Sequence, residues 1–256
     1  SRVKALDKIE RIELPKRRPV VKFEFKRPPR SGEDVATLHG VRKAFGARVL
    51  YDGFDLSIRR GERWSLMGRN GAGKTTLLKM IAGVLAPDAG EITLGASLKL
   101  GYFAQQSLQV LDVRLTVWEQ IEQDFPHEST GVLRTLLGAF QFSGDEIEKP
   151  IRALSGGERT RLVIARMLFD PPNFLVLDEP TNHLDLTTKD MLIEALREFE
   201  GTMIFVSHDR SFLRGLSNRV LELGGETGTD VQPLVYPGSD VEYVARTGHE
   251  APGVHS

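Results

Sequence analysis

Gly68-Arg-Asn-Gly-Ala-Gly73-Lys74-Thr75 lies between the apolar run Trp64-Ser-Leu-Met67 and the helix-forming run Leu77-Leu-Lys-Met80. The pattern G-x-x-x-x-G-K-[ST] between a strand and a helix is that of a phosphate loop. Its glycines, Gly68, Gly71 and Gly73, let the backbone wrap closely around an anion, because a Cβ would block both the turn and the approach. The amides of the loop, which also includes Asn70 and Ala72, and the helix start through Thr76 then face anionic oxygens. Lys74 is expected to reach the β- and γ-phosphates of a nucleoside triphosphate, and the Thr75 hydroxyl to ligate Mg²⁺. The alternative, a glycine-rich helix-entry turn with an exposed lysine, lacks a reason for the flanking strand and helix.

Downstream, Phe174-Leu-Val-Leu177 ends in Asp178-Glu179. Two carboxylates at the C-terminal end of a buried strand are costly unless they have partners or work to do. That end of an open parallel sheet is where ligands bind. Adjacent strand residues point to opposite faces, so the two acids need not share a role. Asp178 is expected to hold Mg²⁺, directly or through water, and Glu179 to orient and deprotonate a water molecule. A pair of solvated acids before Pro180 is the competing reading, and the phosphate loop upstream weighs against it.

The rest of the pattern alternates strands and helices. Strands are predicted at 35–41, 49–58, 63–67 and 91–103, and helices from Lys74 to about Leu85 and from Gly156 to Leu168. Two wholly apolar runs, Phe174–Leu177 and Met203–Val206, read as buried parallel strands. This is an α/β layer fold.

The chain has 256 residues and no cysteine, which excludes disulfides and thiolate chemistry and fits a reducing compartment. No stretch approaches the roughly 18 to 20 apolar residues that cross a bilayer. The charged opening residues resemble no signal peptide, and a cytoplasmic protein is expected. The chain opens on Ser1, not Met, which leads to the expectation of one domain from a longer protein.

The net charge of −1 hides an asymmetry. Residues 1–30 hold eleven Lys/Arg and four Asp/Glu, a balance of +7, and the remainder carries −8. Val3, Leu6, Ile9 and Ile12 form one narrow helical stripe that Pro15 stops, and the proline-rich basic segment after it reads as an extended linker. Such an arm fits a polyanion or a merely solvated linker.

Leu154-Ser155-Gly156-Gly157-Glu158 opens the helix predicted to reach Leu168. Ser155 and Gly157 offer a hydroxyl and an unobstructed amide at a positive helix end. This pentapeptide resembles the signature of the ATP-binding-cassette family. The resemblance covers residues 2 to about 245. It implies a P-loop NTPase cassette with a RecA-like parallel-sheet core, an antiparallel β subdomain and a small helical subdomain at about 107–155. It further implies that Ser155, Gly156 and Gly157 face the γ-phosphate of ATP held by a second cassette. Gln105 in Gly101-Tyr-Phe-Ala-Gln105 resembles the glutamine that couples Mg²⁺ and water to the helical subdomain, with Gln106 the neighbouring register. His208 in Ser207-His-Asp209 resembles the γ-phosphate histidine. Phe45 resembles the aromatic residue that stacks on adenine, with Tyr51 the alternative. Asp185 resembles the carboxylate that signals across the dimer interface.

Asp178-Glu-Pro-Thr-Asn-His-Leu-Asp185 resembles the ABC-F group of soluble twin-cassette ATPases, as do the N-terminal segment ending at Pro15 and Val235-Tyr-Pro-Gly238 with Tyr243. On that resemblance residues 1–34 are the end of a basic interdomain linker, 35–246 the second cassette, and 247–256 a disordered tail. The implied partners are another cassette and the ribosome or its RNA, with no membrane domain. Two other purposes compete. A transporter's nucleotide-binding subunit needs a groove for a membrane partner in the 107–150 region, which is short here, and a DNA-repair-like clamp needs a long coiled coil that does not interrupt this cassette.

Overall fold

The computed structural model describes residues 26–103, 111–182, 184–224 and 233–248. The predicted helix over 2–14, Gln105, Gln106 and residues 249–256 lie outside this range. Residues 26–33 carry neither helix nor strand. There Lys26 pairs with Glu128 and lies 4.6 Å from the centroid of the Phe169 ring, and Arg27 lies 3.6 Å from Glu200.

Strands β1 (Asp34–Phe45), β2 (Arg48–Arg59) and β4 (Ala89–Leu94) form an antiparallel sheet in the order β2-β1-β4. Strands β3 (Arg63–Gly68), β5 (Leu100–Phe103), β6 (Phe174–Asp178), β7 (Thr202–Val206), β8 (Arg219–Leu223) and β9 (Leu234–Tyr236) form a second sheet. Its order is β5-β6-β7-β3-β8-β9, parallel except for the antiparallel β9. Seven α-helical segments lie among the described residues: α1 (Lys74–Ile81), α2 (Val117–Asp124), α3 (Thr130–Ala139), α4 (Gly156–Phe169), α5 (Leu186–Glu198), α6 (Arg210–Leu213) and α7 (Asp240–Thr247).

Three expectations need correction. The run 91–103 is two strands in two different sheets, not one. The break falls where a Cβ on Gly95 would lie 1.9 Å from the Asp34 carbonyl oxygen and where Ser97 adopts φ 56°. The helix after the phosphate loop ends at Ile81 rather than near Leu85, because Val84 and Leu85 amides turn back onto the Lys79 carbonyl. Thr247, assigned to a tail, is the last residue of α7, whose C-cap is Gly248 in the left-handed region.

Every residue of β6 and β7 is buried, and alternate side chains enter two cores. Phe174, Val176, Ile204 and Val206 pack with α1 and the antiparallel sheet. Leu175, Leu177, Met203 and Phe205 pack with α4, α5 and the helical region. A parallel sheet covered on both faces needs such continuous apolar strands. With β7 between β6 and β3, and Asp178 in register with Val206, β6 and β7 end level and β3 runs two residues further to Gly68. That edge of the sheet carries Gly68, Asp178 and the segment leading to His208.

Phe205 is fully buried and meets Phe212 edge-on, with ring centroids 5.4 Å apart. Phe205→Ala is expected to cost about 3–5 kcal/mol. Urea unfolding of parent and variant measures it, and a loss under about 1 kcal/mol would contradict a close-packed sheet face.

Candidate functional site

The phosphate loop is built by backbone conformations that only glycine adopts freely. Gly68 has φ 134° and Gly73 φ 105°. A Cβ on Gly68 would stand 2.3 Å from the Leu223 carbonyl oxygen, and one on Gly73 would stand 3.0 Å from the Tyr51 hydroxyl. The loop therefore closes against β8 on one side and β2 on the other, leaving a cradle that side chains would fill. Lys74 folds over it, its Nζ donating to the Gly68 carbonyl at 2.6 Å and the Arg69 carbonyl at 3.2 Å. Two residues of β2, which sequence reading did not assign to the loop, brace it from outside. Arg48 donates to the Gly71 carbonyl at 2.9 Å, and the Tyr51 hydroxyl donates to the Gly73 carbonyl at 3.1 Å. Their only sequence signal is their place on a strand that precedes the loop, and it carries no information about the packing.

Thr75, the second residue of α1, donates from Oγ1 to Asp178 Oδ1 at 3.1 Å. Glu179 follows Asp178 but does not continue the strand. Its φ is 51°, a left-handed conformation that is uncommon for a residue with a side chain. The two acids diverge because of this turn, not because of strand alternation. Glu179 Oε2 accepts the His208 amide at 3.3 Å, and Oε1 lies 3.1 Å from His208 Nε2. His208 Nδ1 is buried without a hydrogen-bond partner among the described residues.

Burial dominates the electrostatics of this nook. It pushes the Asp178 carboxyl up, against the Thr75 hydrogen bond and the nearby Lys79 and Lys74. It pushes Glu179 up, against His208 and its amide. It lowers Lys74, against the pull of Glu179 and Asp178. Two carboxylates and one ammonium share a partly desolvated space, so the site carries excess negative charge beside a hydroxyl ligand. That donor set fits a hard divalent cation such as Mg²⁺, which takes one or two carboxylates and completes its shell with water and phosphate oxygens. Thr75 and Asp178 are the residues that can hold it.

The signature residues form a second group. Ser155 caps α4: its Oγ accepts the Glu158 amide at 3.2 Å, and the Glu158 carboxylate accepts the Ser155 amide at 2.7 Å. Ser155 and Gly156 are exposed and Gly157 is half-buried. The Ser155 hydroxyl keeps its proton to donate outward. Asp185 approaches this helix start closely, since a Cβ on Gly157 would lie 3.3 Å from Asp185 Oδ2. Among the described residues no hydrogen bond or ion pair joins this second group to the first. Phe45 ends β1 at the hairpin, half exposed, with Lys43 Nζ 5.6 Å from its ring centroid. Tyr51, the alternative stacking residue, is fully buried beneath the loop and presents no free face.

The raised Asp178 carboxyl has a consequence for stability. Folding favours its protonated form, so the charged form costs stability above the folded pKa, and the cost vanishes below the ordinary carboxylate range near about 4. Asp178→Asn is therefore expected to melt above the parent at pH 7, with the advantage shrinking as pH falls toward about 4. Thermal melts across that range measure it, and an Asn variant that melts no higher at pH 7 contradicts the burial argument.

Comparison with known proteins places this geometry. Residues 51–182 match the family model described as ABC transporter. Probable ATP-binding protein YheS of Escherichia coli (strain K12) is 42% identical over 218 residues, 85% of this chain and 34% of that protein. ABC transporter F family member 5 of Arabidopsis thaliana is 40% identical over 224 residues, 87% of this chain and 32% of that protein. The chain thus spans about a third of the length of these relatives. A dimeric post-hydrolysis structure of the ATP-binding cassette MJ0796, bound to ADP and Pi, is 26% identical with a TM-score of 0.60, covering 73% of this chain and 94% of that one. On the family match the chain belongs to the ABC transporter family, and the relatives it resembles include one named for the F family.

Proposed function

We propose that this cassette binds and hydrolyses ATP with Mg²⁺, in sites shared head to tail with a second cassette. The observation that carries the reading is the Thr75–Asp178 hydrogen bond with Lys74 and Glu179 beside it. In this account Lys74 and the loop amides bind the β- and γ-phosphates, and Phe45 stacks on adenine. Thr75 and Asp178 hold Mg²⁺, joined by Gln105; when bound, the ion neutralises charge developing on the phosphates. Glu179 takes the proton of the attacking water. His208 holds the Glu179 carboxylate in place and offers its imidazole to the γ-phosphate. Catalysis is mainly positioning and charge compensation.

The second group acts outward. Ser155 and Gly157 donate to the γ-phosphate bound by the other cassette, with Asp185 at the same interface. The exposure of Ser155 and Gly156, and the lack of hydrogen bonds or ion pairs between the two groups among the described residues, support this division. The dimeric cassette bound to ADP and Pi is a precedent for the pairing. ATP then joins the cassettes and hydrolysis releases them.

The proposed setting is the ribosome in the cytoplasm, with the +7 segment of residues 1–30 meeting RNA phosphates as the end of an interdomain linker. The setting is what the ABC-F resemblance of the sequence implies, and the charge balance of residues 1–30 supports the partner.

Glu179→Gln is expected to keep ATP binding and to lower turnover at least about a hundredfold, the scale of a lost general base. Near-normal turnover removes Glu179 from the chemistry. Ser155→Arg is expected to leave ATP binding to this cassette intact and to block ATP-driven association by adding bulk and charge at the interface. Sedimentation with ATP decides it: normal association of the Arg variant defeats the head-to-tail arrangement.

A further inference from the structure

The first turn of α5 touches both groups of site residues. On one side Asp185 caps the helix, accepting the Thr188 amide at 2.9 Å. Arg161, on the signature helix α4, donates to the Thr188 hydroxyl at 3.2 Å and lies 3.7 Å from Asp185. On the other side Lys189, whose amide bonds to the Asp185 carbonyl at 3.0 Å, forms an ion pair with Asp209. Asp209 is the neighbour of His208. Its amide donates to Ser207 Oγ at 3.1 Å and its carboxylate accepts the Phe212 amide at 3.1 Å.

We infer that Lys189 is a positioning residue for His208. Through Asp209 it fixes the segment that carries the imidazole, and through the first turn of α5 it ties that segment to Asp185 and the signature helix. The inference rests on the hydrolysis reading above. Several features carry it. Both members of the ion pair are about one-fifth exposed, so the contact is shielded more than a surface pair. The His208 amide is already held by Glu179, leaving its C-terminal side to be held by Asp209. Among the described residues no hydrogen bond or ion pair joins Lys189 to the phosphate loop, so its effect passes through a neighbour. In the proposed dimer, His208 serves the nucleotide of its own cassette, whereas Ser155, Gly157 and Asp185 serve the other one. A single helical turn would then keep the two half-sites of one chain in step.

The test measures ATP turnover, under single-turnover conditions, and nucleotide affinity in the full-length protein. Lys189→Met is expected to lower turnover about tenfold while affinity stays within about twofold, as expected of misplacement without loss of binding. Lys189→Arg, which keeps the charge, is expected to restore most of the rate. In a His208→Ala background Lys189→Met is expected to cost nothing further, because the effect passes through His208. Parent-like turnover in Lys189→Met overturns the inference, as does an undiminished further loss on top of His208→Ala. Should Lys189→Met lack a cooperative melt, Lys189→Gln and Lys189→Arg decide: turnover kept by Arg and lost by Gln supports the role, and any other pattern overturns it. An unsubstituted protein that turns over no ATP removes the hydrolysis reading and this role together. A protein that turns over ATP and ignores Lys189 removes this role alone.

Discussion

The hydrogen bond from Thr75 to Asp178 reaches from the helix after β3 to the end of β6, across the intervening strand β7. It can form only if three parallel strands end at the same edge in fixed register, and that registration depends on strands apolar on both faces. Phe174–Leu177 and Met203–Val206 supply them, each sending alternate side chains into separate cores. The close approach of Gly68 to the Leu223 carbonyl then fixes where the loop departs from the sheet. Core packing and the site are therefore the same constraint seen from two ends.

The nook at that edge works against the stability of the fold. Burial disfavours the charged forms of Lys74, Asp178 and Glu179 alike, and Glu179 adds a left-handed backbone. Strained, desolvated groups persist where the surrounding structure over-determines them, and they concentrate at functional sites. Here the over-determination comes from the β7 ladder, where the Glu179 amide bonds to the Val206 carbonyl at 3.0 Å, and from His208.

The phosphate loop, the paired carboxylates and the signature were legible because their chemistry needs fixed residue types at short, fixed spacing. The parallel core was legible from its unbroken apolar runs. What stayed hidden depends on contacts between distant segments. Nothing near Arg48 or Tyr51 in the chain indicates that they brace Gly71 and Gly73; Tyr51 reads instead as the alternative residue for stacking on adenine. The span 91–103 keeps a strand-like composition through Gly95 and Ser97, so the crossing from one sheet to the other left little local trace. Glu179 likewise has a side chain of no special backbone preference, and its left-handed turn is imposed by the residues around it. The Lys189–Asp209 pair joins residues 20 apart that carry no shared motif.

The signature helix α4 runs 14 residues, about 21 Å, from the Ser155 cap to Phe169. Its head presents the exposed serine and glycine. Its tail lies beneath Lys26, which also grips Glu128 of the helical region. An α-helix of this length is stiff, so a tilt applied at Phe169 swings Ser155 as the far end of a lever. The point where the N-terminal segment moors to the cassette is thus the fulcrum end of the same rod whose other end faces outward.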